Sequence, residues 1–158
     1  MSSLTETLIS KAARGGFAMD RVVSGFSPAE IRQTIAELVM REQITLANAL
    51  SDAGISLYPQ SEDILAISAL LAEIQRDWPT AEELLCQLID IQGVMATPQS
   101  WRHLIRVQRC HCEPGKALAS ARAALAQHPQ DSDLAQELAE LQDLLGQTRI
   151  FDTPARAQ

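Results

Sequence analysis

Aromatic side chains are scarce in this sequence, 4% of its residues with a single tyrosine, and Val and Phe are sparse as well. Sheets draw on those residues, whereas the Ala, Leu and Gln that recur here favour helices. The shortage points to an all-α fold. Long apolar runs are missing too: nothing approaches the ~20 residues needed to span a bilayer. The opening MSSLTETLISKAARGG is interrupted by Thr5, Glu6 and Ser10 and lacks the apolar core of a secretory signal. A cytoplasmic protein with no integral membrane segment is the expectation. Cysteines number three, Cys86, Cys110 and Cys112, an odd count without disulfide-scaffold spacing, which fits reduced thiols. Cys86 lies in the apolar run of Leu84, Leu85, Leu88 and Ile89 and is expected in the core.

An excess of positive charge is also lacking. A net charge of -7 disfavours general binding to nucleic acid or anionic membranes, both of which need a basic surface. The chain has no glycine-rich phosphate loop, no nucleophile elbow and no helix bearing His-Glu-x-x-His, so no catalytic residues are assigned and an enzyme is not expected. Cys110-His111-Cys112, with His103 nearby, invites a metal reading. Residues two apart on a helix diverge by about 200°, however, and His103 with Cys110 make only two ligands. Neither metal nor cofactor is expected.

What remains is helical patterning. The length suits one domain. A first helix is read from Ser3 to about Arg14, with Leu4, Leu8, Ile9 and Ala12 on one face and Gly15-Gly16 as the stop. Phe17 to Val23 forms a short apolar linker in the N-terminal region, residues 1–26, which either packs on the rest of the chain or makes a homodimer. Beyond it a period emerges: units begin at Pro28, Glu62 and Pro98, 34 and 36 residues apart. Ser27-Pro28-Ala29-Glu30 combines an N-cap Ser, a first-position Pro and a reciprocal Glu, while Ser61 and Thr97-Pro98 do the same work. The apolar pattern breaks in mid-unit at Glu42-Gln43, Arg76-Asp77 and Glu113-Pro114-Gly115, giving three helical hairpins of about 28–61, 62–95 and 98–130. A capping helix over 131–146, with Leu134, Leu138, Leu141, Leu144 and Leu145, is closed by Gly146 and completes a repeat domain over 27–146; residues 147–158 read as a flexible tail.

These units resemble the tetratricopeptide repeat. The third carries Trp101, Leu104, Ala117, Ala124 and Pro129 at unit positions 4, 7, 20, 27 and 32, with Ile105 in place of the usual small residue at 8. The second has Leu65, Ala69 and Ala81 at 4, 8 and 20 but no closing Pro; the first keeps Ile31, Leu38, Ala47 and Pro59 but has Thr34 and Ile35 at 7 and 8. The resemblance implies a right-handed superhelical stack whose first helices line a concave groove through positions 2, 5, 9, 12 and 13. Those positions hold Ala29, Arg32, Ala36, Val39 and Met40, then Asp63, Ala66, Leu70, Glu73 and Ile74, then Gln99, Arg102, Arg106, Arg109 and Cys110. The last three arginines share one helix face within a segment, 98–130, of five basic residues and one acidic. They either clamp an acidic stretch or terminal carboxylate of a partner, or are solvated or paired with Glu82, Glu83 or the last helix.

The whole layout, with Gly15-Gly16, Ala18-Met19, Ser27 and Glu30, is similar to type III secretion chaperones that hold translocator proteins. That likeness implies a virulence-linked chaperone gripping a client segment in its concave groove. A structural adaptor or scaffold subunit of a larger assembly is the alternative.

Overall fold

In a computed structural model the described residues, 3–15 and 18–151, are all-helical, with no strand among them. The helices are α1 (Ser3–Ala13), α2 (Met19–Val23), α3 (Pro28–Met40), α4 (Ile44–Leu57), α5 (Glu62–Ile74), α6 (Trp78–Gln92), α7 (Pro98–Cys110), α8 (Pro114–Gln127) and α9 (Ser132–Phe151), with a 3-10 turn at Gly93–Met95. None is long and apolar enough to cross a membrane.

Local chemistry explains where the first helix of each hairpin begins. The Ser27 hydroxyl accepts from the Glu30 amide at 3.3 Å while Ser27 N–H donates to the Glu30 carboxylate at 2.8 Å, a complete capping box. The Ser61 and Thr97 side chains cap α5 and α7 by accepting from Ile64 and Ser100 amides. All three first helices then end in one way. Glu42, Arg76 and Cys112 take left-handed φ angles of 59°, 59° and 61°. The next residue's N–H reaches back to Leu38, Ala72 and Gln108 carbonyls, each at 2.9 Å. This double-bonded stop, usually built on glycine, satisfies two terminal carbonyls and costs roughly 1–2 kcal/mol of left-handed strain per non-glycine residue.

The chain divides into two compact units, Met1–Ile91 and Gln92–Gln158. The division falls beside Gly93, itself left-handed, in the segment that lacks the Pro closing the other hairpins. In the first unit, α3 packs on α4 and α5, and α1 lies against α3 and α4. Its core joins Leu4 and Leu8 of α1, Val23 of α2, Ile31, Ile35 and Leu38 of α3, Ala47, Leu50 and Ala53 of α4, and Ile64 and Leu71 of α5. Complete burial of an aliphatic side chain is worth ~1.5–3 kcal/mol, so Leu4 and Leu8 hold α1 in place. For this helix, packing on α3 and α4 is the alternative realised within the chain. In the second unit α8 packs between α7 and α9, with Trp101, Leu104, Ile105, Ala117, Ala121, Ala124, Leu134 and Leu141 buried.

Two expectations are corrected. Cys86 is exposed, not core. The buried residues of α6, Ala81, Leu84, Leu85, Leu88 and Ile89, form a stripe at helical spacing, and Cys86 lies about 100° beyond Leu85, off its edge. Nor does Gly146 close the last helix, which continues to Phe151. A mid-helix glycine costs only ~1 kcal/mol against alanine, and Gly146 does not adopt the positive φ that would end the helix. Residues 147–151 of the expected tail thus continue α9, while 152–158 lie outside the described residues.

Candidate functional site

An apolar groove of about 190 Å³ runs between α3 and α5. Its walls are Ile35, Ala36 and Val39 from α3 and Ile67, Leu70, Leu71 and Ile74 from α5. The two helices run side by side in the same direction. At their N-terminal ends Arg32 Nε meets Asp63 Oδ1 at 3.1 Å, and at their C-terminal ends Met40 and Ile74 stand in solvent. Ile35 and Leu71 form the buried floor, while Met40, Ile74 and Leu70 are 85%, 57% and 41% exposed. Exposure of several large apolar side chains along one groove marks a surface suited to a partner.

Of the groove residues expected from sequence, Ala36, Val39, Leu70 and Ile74 come together here, and Met40 extends the apolar strip. Ala66 and Glu73 are half-buried on α5. Arg32 is tied to Asp63 as a rim pair. Ile35, Ile67 and Leu71 belong to the walls yet were not expected there. Their signal is a relation across 70 residues.

That relation links the helix trio α3–α4–α5 with α7–α8–α9. Arg32 pairs with Asp63, and 70 residues on Arg102 pairs with Asp133 at 2.5 Å. Tyr58 donates its hydroxyl to the Phe26 carbonyl at 2.9 Å; His128 sets Nε2 2.7 Å from the Ala96 carbonyl at the same two offsets. Each contact ties the end of a hairpin to the residue before its N-cap. Tyr58-Pro59-Gln60 and His128-Pro129-Gln130 likewise make matching turns, closed by Ser61 N–H to Tyr58 O and Asp131 N–H to His128 O, both at 3.0 Å. By this register α9 is the counterpart of α5.

The matched groove positions carry opposite chemistry. Val39, Ile67 and Leu70 correspond to Arg109, Glu137 and Glu140. Arg109 Nη1 lies 2.9 Å from Glu137 Oε2 and 3.7 Å from Glu140 Oε2. A polar cavity of about 230 Å³ lies among Arg102, Asp133, Gln136, Glu137 and Glu140. Thus Arg102 and Arg109 of the expected arginine stripe are engaged by the last helix, and Arg106 is exposed on the same helix. Compared with known proteins, the chain matches no family model and no curated sequence. Its groove must be understood from its own residues.

At the N-terminal end of α3 the Glu30 carboxyl is held below its ordinary range, first by the Ser27 backbone N–H and then by the Ser27 hydroxyl, so the cap of a groove helix keeps its negative charge into mild acid. Among the described residues, no three His, Cys, Asp or Glu side chains gather as a metal site.

Proposed function

We propose that this chain is a helical-repeat protein of the tetratricopeptide type that holds an apolar segment of another polypeptide between α3 and α5. The most concrete form is a cytoplasmic chaperone that masks such a segment of a secreted client until release. One observation carries the reading. Where the α7–α9 trio places the Arg109, Glu137 and Glu140 ion pairs, the α3–α5 trio has the apolar Val39, Ile67 and Leu70, continued by Ile74 and Met40 and in part open to water. The mechanism is masking. Burying two or three client side chains there contributes ~1.5–3 kcal/mol apiece, a gross gain that the cost of association of ~4–15 kcal/mol largely offsets, so the grip is weak and reversible rather than a permanent assembly.

The test is capture from the native host by a tagged chain, beside a Leu70→Ser/Ile74→Ser variant checked for helicity by circular dichroism. Both side chains are exposed, so the variant keeps its fold. Stoichiometric, releasable capture of a client with an apolar segment, lost in the variant, supports the reading. Capture that is unchanged by the substitutions removes the groove from the function, and inseparable co-assembly favours the adaptor. Changing Arg102, Arg106 and Arg109 to Glu is expected to loosen α9 rather than abolish capture, since two of the three already bind its acids.

A further inference from the structure

Resting on that groove reading, we infer that the held segment carries lysine or arginine beside its apolar core. The placement of charge selects for it. Residues 1–91 contain six basic and thirteen acidic side chains, so this unit holds a charge of -7, equal to that of the whole chain. Residues 92–158 hold seven of each and are neutral. Within the groove helices, their caps and their turns, residues 27–43 and 61–77, three arginines stand among seven carboxylates. One of those arginines, Arg32, is already neutralised by Asp63.

The groove itself contributes no charge, so its ends set the field. In the first turns of α3 and α5, Glu30 and Glu62 stand beside the Arg32–Asp63 pair, which is neutral as a whole, and outweigh the partial positive charge of the two helix N-termini. Glu42, Glu73 and Asp77 lie towards the opposite end, with Arg41 and Arg76 among them. Neither helix has a basic residue in its last turn, and both C-termini, which carry partial negative charge, point to the Met40 and Ile74 end. The four α5 residues that line the groove run from Ile67 to Ile74, so at 1.5 Å per residue it is about 10 Å long. Residues flanking a three-residue extended core therefore fall within about one Debye length, ~8 Å at physiological salt, of these carboxylates. Apolar walls of low polarisability concentrate that field. A lysine-flanked apolar segment is attracted to both ends, and a glutamate-flanked one is repelled.

The experiment uses the full chain and three labelled peptides read by fluorescence anisotropy. The first has a three-residue Leu core with two lysines at each end, the second replaces the lysines with glutamates, and the third keeps the lysines but has a Ser core. Each is titrated at about 20 mM and about 500 mM salt, with the uncharged Leu70→Ser/Ile74→Ser variant as control. The expected result is binding of the lysine-flanked apolar peptide ~10-fold tighter than the glutamate-flanked one at low salt, narrowing to ~2-fold at high salt, with both weakened in the variant. Equal affinities at low salt, both still lost in the variant, overturn the basic flank and leave the groove standing. Binding of the Ser-core peptide as tight as the apolar one, indifference to the variant, or no binding of either apolar peptide overturns the groove and this inference together.

Discussion

Replacing Gly54 with alanine should stabilise this protein. Gly54 is buried in α4 where that helix meets α3 and α5, and a methyl group built on it lies 3.4 Å from Ile31 Cγ2 and 3.4 Å from both Ile64 Cδ1 and Ile64 Cγ2. Those are contact distances without overlap, and the backbone is not in the left-handed region that only glycine tolerates. Seventy residues later the matching position is Ala124, fully buried, so the same arrangement accommodates that methyl. Exchange of Gly for Ala in a helix interior is worth ~0.8–1 kcal/mol, and burying one methyl adds up to ~0.8. Allowing for the closeness of three contacts, the gain should be ~1 kcal/mol. Urea unfolding followed by circular dichroism would shift its midpoint up by ~0.5 M, or the melting temperature by ~3 °C. Gly54→Leu is the control, since its further three carbons have no room and should cost ~1–3 kcal/mol. Destabilisation by alanine, or tolerance of leucine, would refute this packing and the match of Gly54 with Ala124.

Tyr58→Phe removes the donor from the Phe26 carbonyl and should lower stability by ~1 kcal/mol in denaturant titration. Leu141→Ala, in the core of the second unit, should cost ~2–5 kcal/mol and reduce the helical signal of α9. Arg109→Ala should cost under ~1 kcal/mol by the same measurement, because its pairs with Glu137 and Glu140 are solvent-exposed. Glu30 has a lowered carboxyl pKa in the fold, so its contribution is fully present above its ordinary 4.5 and is lost as pH falls through the depressed value. Glu30→Gln should accordingly flatten the acid limb of a stability-versus-pH curve; an unchanged limb would count against the role of this cap.

Much of the helical layout was legible because its determinants are local. Ser27, Ser61 and Thr97 cap amides three residues away, and Pro28 and Pro98 sit where a helix loses no hydrogen bond by accepting them. The turns were harder. Glu42, Arg76 and Cys112 are not residues that announce a left-handed stop, and their common geometry comes from the carbonyls they satisfy. Cys86 and Gly146 depart from expectation for related reasons: an apolar run does not say which side of a helix is covered, and a glycine ends a helix only where it takes a positive φ.

The sequence by itself determined an all-helical chain, the starts of its hairpins and the acidity of its first half, since propensity, capping and charge act over a few residues or none. Only the tertiary structure decided what those helices do to one another. It joined Ile35 and Val39 to Ile67, Leu70 and Ile74 as one apolar groove, and it engaged Arg102 and Arg109 with the acids of α9. Contacts of that kind link side chains some thirty residues apart, and they depend on which helix faces are turned together. Local spacing carries no information about that choice until the packing of Ile31, Leu50 and Ile64 in one unit, and of Ala121 and Leu134 in the other, has set the faces.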